Sequence, residues 1–222
     1  VIDISILDVF PVLLKGVSVT IQVLVLSAIF SYLIAFIAGF GRLSKNVLVR
    51  KFTGFYIEIF RGTSLIVQLF WFYYAIPMLF NVQVGSELMA GVLAISLNYG
   101  AYMSEIVRGS IIAVDKGQRE AATALNMTRF QQMRLVILPQ AVRMMLPEFG
   151  NYLIQILKAT SLVSLIGMTD ILYHGNMLRS TNIAMAPTIY LLILVFYFIL
   201  ALPLIFLTRK AEDISKKGVA SS

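Results

Sequence analysis

The sequence predicts an all-α, polytopic membrane protein with about five transmembrane helices, and three observations lead there. Of 222 residues, 59% are hydrophobic and only 13% are charged, whereas about a quarter of a soluble domain carries charge. The mean hydropathy is +0.87, and the apolar residues fall in blocks of about 20 or more, enough to cross the hydrocarbon layer as helix. The blocks are continuous, not alternating as in a transmembrane barrel. With no water in the hydrocarbon to satisfy the backbone, such blocks must be helical.

The first span is expected over residues 16–40, after a segment bearing Asp3, Asp8 and the turn-favouring Pro11. It ends at Arg42, Lys45, Arg50 and Lys51. The second is expected over 52–79 with Pro77 near its outer end, the third over 88–113, the fourth over 144–168 and the fifth over 187–207. Lys116, Arg119, Arg129, Arg134 and Arg143 surround the connection between the third and fourth, and Arg209, Lys210, Lys216 and Lys217 follow the fifth. The stretch 80–87 has no Lys or Arg and 169–186 has only Arg179. By the positive-inside rule the N-terminus lies outside and the C-terminus in the cytoplasm. Residues 1–222 read as a single transmembrane domain with a frayed polar tail over 212–222. The start lacks the basic region and cleavage site of a signal peptide, so the first span is expected to direct insertion; it also lacks an initiator Met, as a trimmed beginning would.

Composition narrows the chemistry. There is no Cys and a single His174, which excludes disulfides, thiolate metal sites and multi-histidine sites. No metal or cofactor is expected on the chain. The net charge of +7 is gathered at the predicted cytoplasmic ends, so it reports membrane orientation rather than nucleic-acid binding.

A short pattern occurs twice: Glu58-Ile59-Phe60-Arg61-Gly62-Thr63 in the second span and Glu105-Ile106-Val107-Arg108-Gly109-Ser110 in the third. In each, acid and base stand three residues apart on one helical face, where they can pair. Antiparallel spans would bring both pairs to similar depth, able to meet. They are either a structural ion-pair network or a gate or substrate contact, since charge inside a bilayer is a functional candidate by default. Other polar residues expected near the membrane interior are Asn98, Gln155, Lys158, Thr160, Ser161, Ser164 and Asp170. A zwitterionic substrate needs a cation for its carboxylate and an acid or carbonyls for its ammonium, and this set supplies both. The competing role for the hydroxyls is helix–helix packing, and for Lys158 a reach to the interface. The aromatic runs at Phe70-Trp71-Phe72-Tyr73-Tyr74 and Phe196-Tyr197-Phe198 are read as interface anchors.

The connection over 114–139 is the polar island of the chain. Its Lys116-Gly117-Gln118-Arg119-Glu120-Ala121-Ala122-Thr123-Ala124-Leu125-Asn126-Met127-Thr128 stretch is Ala-rich with Glu and Gln, hence helix-forming. Asn126 and Thr128 are placed to stop one helix and start the next. Two short helices joined at an angle are expected, with small Ala residues allowing close approach to a partner.

Glu120-Ala121-Ala122, a break at Asn126, then Val136-Ile137-Leu138-Pro139 resembles the signature of inner-membrane permease subunits of binding-protein-dependent ABC importers. The Glu58 to Thr63 segment, Gln68-Leu69-Phe70, Lys116-Gly117-Gln118, Leu138-Pro139-Gln140-Ala141 and Thr160-Ser161-Leu162-Val163-Ser164 look like the polar amino-acid subfamily, the permeases for His, Glu, Gln or Arg. The resemblance covers nearly the whole chain. It implies a type I importer permease (MetI-like) fold in the bacterial inner membrane. The implied partners are a second permease, identical or homologous, a cytoplasmic ABC ATPase dimer that holds ATP and Mg, an extracytoplasmic solute-binding protein, and a polar amino acid or related zwitterion. It implies an ATPase-coupling role for Gly117, Glu120, Ala121, Ala122, Asn126, Leu138 and Pro139. From their polar character inside the spans, Glu58, Arg61, Asn98, Glu105, Arg108, Gln155, Lys158, Ser161, Ser164 and Asp170 are expected on the substrate path or gate. Two positions depart from the pattern: Asn126 stands where Gly is usual, and Ser64 where Pro is common. Asn is the next most tolerant residue for a left-handed backbone.

The chain has no Gly-Lys dipeptide and thus no Walker A cradle, so ATP hydrolysis is expected on a separate subunit. The alternative, a transporter driven by an ion gradient, would show inverted repeats and paired intramembrane acids. The short Glu-Ile-x-Arg-Gly similarity is too brief for that. A membrane-embedded enzyme finds no nucleophile and base pair here.

Overall fold

A computed structural model describes residues 6–81 and 85–217. Asp3 and the end of the expected tail, 218–222, lie outside the described residues. Among these residues the main helices are α1 Ile6–Arg42, α2 Val47–Gly62, α3 Leu65–Phe80, α4 Glu87–Ala113, α5 Lys116–Ala124, α6 Arg129–Ile166, α7 Ile171–Thr181 and α8 Ala186–Lys217. Helices α1, α6 and α8 are each long and apolar enough to cross a membrane. The α2–α3 pair, bent by 106°, is a fourth candidate.

The remaining expected span, α4, is 27 residues long, about 40 Å at helical rise. It carries polar residues in its interior-facing stretch because protein surrounds it: Ser96, Asn98 and Ser104 are all buried. It packs on α1, α2, α3 and α6. Close contact with α1 rests on glycines, since a Cβ at Gly39 would come within 2.7 Å of Val107, and one at Gly100 within 2.7 Å of Ile34. Where lipid is as apolar as Leu, such close backbone packing drives helix association. Val23, Ile95, Leu157 and Val163 form the central cluster, Met103, Val107, Met145 and Phe149 a second toward α5, and Val9, Leu13, Ile171 and Ile189 a third at the opposite end.

Several expected boundaries are corrected. The second span is not one straight helix over 52–79: Thr63 and Ser64 are extended, and the chain turns sharply between α2 and α3. The fourth does not begin at 144; α6 starts at Arg129, so Leu138 and Pro139 lie inside a continuous helix rather than in a loop. The backbone there widens into π-helical bonding over Gln132–Ile137 before the proline. Trp71–Ala75 widens in the same way two residues before Pro77. A proline ring collides with the carbonyl four residues back, and a wider turn relieves it. The stretch 169–186, expected as a loop, contains α7. The tail is helical to Lys217, not frayed from 212.

Candidate functional site

Two residues, Val114 and Asp115, separate the end of α4 from the start of α5. Asp115 caps it, accepting from the Gly117 N–H at 2.7 Å. The Arg119 guanidinium donates to the Ile111 carbonyl at 2.7 Å, tying α5 to the end of α4. The α5 C-terminus closes with a pair of bonds, Met127 N–H to Ala122 O at 3.1 Å and Asn126 N–H to Thr123 O at 2.9 Å, the Schellman arrangement that needs a left-handed residue. That residue is Asn126, at φ +55°, so the expected substitute for Gly does adopt the required backbone. Thr128 and Gln131 form a reciprocal capping box at the start of α6, and the Gln132 amide donates to Met127 O at 2.9 Å and Thr123 Oγ1 at 3.2 Å. Only Ala122 of α5 is buried, at 3% exposure, while Gly117, Glu120 and Ala121 face outward. Leu138 is half-buried and Pro139 exposed.

The two Glu–Arg patterns part company. Glu105 pairs with Arg108 at 2.8 Å, but its second partner is Arg42, 3.7 Å away at the end of α1. Neither Glu58 nor Arg61 joins an ion pair among the described residues; both are exposed, and the Arg61 guanidinium lies 5.3 Å from the centre of the Tyr102 ring. The expected meeting of the two pairs is therefore corrected. Arg42 reaches Glu105 across Gly54, where an added Cβ would stand 2.6 Å from Arg42 Nη1.

Asn98 is 5% exposed and belongs to a polar knot at the α2–α3 break. Its amide donates to Phe60 O at 2.9 Å and to Gln68 Oε1 at 3.1 Å. The Gln68 amide in turn donates to Phe60 O at 3.0 Å and Thr63 Oγ1 at 2.6 Å. Tyr102 OH donates to Arg61 O at 3.1 Å, and Thr63 OH to Ile59 O at 2.7 Å.

Gln155 and Lys158 are the two sequence candidates that line an open recess of about 530 Å³, together with Leu65, Tyr99, Ala159 and Leu162. Tyr99 and Leu65 were not singled out by sequence; Tyr99 adjoins Asn98 in a polar, aromatic stretch that is the available signal. The hydroxyls of Thr160, Ser161 and Ser164 donate to backbone three residues earlier at 2.7 to 2.8 Å, within the tighter 3₁₀ turns of Thr160–Ile166. Asp170 is fully buried and caps α7, accepting from Tyr173 N–H at 2.8 Å and Tyr197 OH at 3.1 Å. It anchors a helix and does not line the recess.

Known proteins carry the same architecture. The chain is 47% identical over 203 residues to a probable amino-acid ABC transporter permease protein, y4tF, of Sinorhizobium fredii, covering 90% of this chain and 85% of that one. It is 37% identical over 202 residues to the glutamine transport system permease protein GlnP of Escherichia coli, covering 91% and 92%. A solved amino acid ABC transporter, crystallised with histidines, superposes with a TM-score of 0.84 at 33% identity, covering 92% of this chain and 94% of that one. The inward-facing MetNI methionine transporter, at 18% identity and a TM-score of 0.71, shares the fold. With residues 14–212 matched by its sequence profile, the chain belongs to the binding-protein-dependent transport system inner membrane component family, as a permease subunit and not the ATPase.

Proposed function

We propose that this chain forms part of the translocation path of an importer for polar amino acids or related zwitterions, and that α5 is its seat on a cytoplasmic ATPase. The observation that carries the reading is the construction of α5. It is capped at both ends, fixed to α4 through Arg119 and to α6 through Gln132, yet presents Gly117, Glu120 and Ala121 outward. A surface helix so firmly held transmits force instead of absorbing it. ATP and Mg would reside on the ATPase, whose closure moves α5 and with it α4 and α6.

A second permease, identical or homologous, would face the recess and close the path. The exposed Phe52, Phe55, Phe70 and Trp71 of α2 and α3 supply apolar surface for that contact and for lipid. In the recess Lys158 would meet a substrate carboxylate, and the oxygens of Gln155 and Tyr99 its ammonium. The relatives that carry glutamine and other amino acids support this substrate class.

The test is Glu120→Arg in proteoliposomes containing the permease, its ATPase and loaded binding protein. Like-charge contacts at an interface cost several kcal/mol, so uptake should fall about tenfold or more while the amount of inserted chain is unchanged. Uptake equal to wild type would remove α5 from the mechanism.

A further inference from the structure

The break between α2 and α3 leaves backbone carbonyls without helical partners, in a segment where lipid offers none. Three of them are answered by side chains. Ile59 O receives Thr63 OH, Phe60 O receives the amides of both Gln68 and Asn98, and Arg61 O receives Tyr102 OH. Two of these donors, Asn98 and Tyr102, belong to α4, and the Asn98 amide also binds Gln68 on α3 at 3.1 Å. Asn98 thus joins α4 to both α2 and α3 at one point, and Gln68 closes the same point from α3. Both amides are buried, Gln68 at 7% and Asn98 at 5% exposure.

We propose that the Gln68–Asn98 amide pair is a transmission tie. It makes the bent α2–α3 unit follow α4 as one body, so that displacement of α5 reaches the wall of the recess. The route is continuous on either side of the tie. Arg119 holds α5 to the last turn of α4, Asn98 holds α4 to the elbow, and Leu65 in the first turn of α3 lines the recess with Gln155 and Lys158. Without the tie α2 still follows α4, through Tyr102 OH to Arg61 O and Tyr56 OH to Leu97 O at 2.6 Å, but α3 loses its polar hold on α4 and can lag. Asn98 and Gln68 are positioning residues, acting through the placement of α3.

This rests on the assignment of α5 as the ATPase seat, and the experiment separates the two. In a reconstituted importer with ATPase and loaded binding protein, ATP hydrolysed and amino acid taken up are measured together for Asn98→Leu, Gln68→Met and the double variant. Leu and Met keep apolar volume but donate nothing to Phe60 O. The ATPase should still assemble and still respond to the loaded binding protein, while molecules imported per ATP fall about fivefold or more, the usual span of a coupling between sites. The double variant should lose no more than the worse single one, since the pair acts as a unit. The exchanged pair Gln68→Asn with Asn98→Gln keeps all donors and should recover part of the ratio, which a merely structural loss would not. Retained assembly with an unchanged import-to-ATP ratio in all variants would overturn the tie. Wild-type uptake by Glu120→Arg in the same preparation would instead overturn the α5 assignment. If Asn98→Leu does not insert, Gln68→Met alone carries the test, with the same ratio deciding.

Discussion

Two glycines show how differently one methyl group is received in this chain. A Cβ at Gly54 would meet the far end of the Arg42 side chain at 2.6 Å, whereas one at Gly16 would meet the backbone of Asp170 and Ile171 at 2.4 Å. A guanidinium can swing away and forfeit only its 3.7 Å approach to the partly exposed Glu105, a loss of about 0–1 kcal/mol. Backbone at the cap of α7 cannot, so α1 must shift from a packed core at about 1–3 kcal/mol. Gly16→Ala should therefore lower the thermal midpoint of the purified chain in detergent clearly, and Gly54→Ala should leave it nearly unchanged; the reverse order would contradict the packing described. Neither role was legible in the sequence. Arg42 announced itself as a topology marker because of its neighbours Lys45 and Arg50, but its contact with Glu105 depends on the absence of a side chain at position 54, on a different helix. The Glu58 and Glu105 patterns look alike for the same reason: local spacing reports which residues can pair, while the third partner is set by tertiary packing.

Helix ends were more legible than helix interiors. Asn126 and Thr128 were readable as a stop and a start because both act through their own backbone, and the Schellman closure and capping box bear this out. The α2–α3 elbow is not legible in the sequence because two extended residues, Thr63 and Ser64, barely change the hydropathy of a long apolar block. Gln68 and Asn98 were the faint signal, two amides in spans that water does not reach. The α6 start was hidden by charge: Arg129, Arg134 and Arg143 made 129–143 look like loop, though its helix is continuous. Pro139 marked the site of the widened turn without revealing it. The two caps carry a prediction about local stability. Thr128→Ala should weaken the α5–α6 corner by about 1 kcal/mol, and Asn126→Ala by about 1 kcal/mol from the left-handed backbone. Hydrogen exchange of the amides over 116–131 should quicken about fivefold in each, 1.4 kcal/mol being a factor of ten, with the α1 and α4 amides unaffected. Equal quickening throughout the chain would mean that this corner does not open on its own.

Orientation follows from how the helices collect charge at one end of the bundle. The C-terminus of α1, the N-terminus of α2, the loop and cap around α5, the first turns of α6 and the end of α8 bring Arg42, Arg50, Lys51, Lys116, Arg119, Arg129, Arg134, Arg209 and Lys210 to the same side. Contacts knit this end together, Arg42 with Glu105 and Arg119 with Ile111 O. The opposite end, at Asn81 and Glu87 and around α7, offers Lys15 and Arg179. Each Lys or Arg near an anionic leaflet gains about 1 kcal/mol, so an inverted insertion is disfavoured and the basic end is expected to face the cytoplasm. Because the sequence has no Cys, single cysteines report on this without background. Leu48→Cys and Lys210→Cys probe the basic end; Met78→Cys and Ile183→Cys probe the other, and all four side chains are exposed. A membrane-impermeant maleimide applied to intact spheroplasts should label positions 78 and 183 only, and after lysis should label 48 and 210 as well. Labelling of 48 or 210 in intact cells would place α5 outside, where no ATP is available to drive it, and the proposed seat on a cytoplasmic ATPase would fall with the orientation.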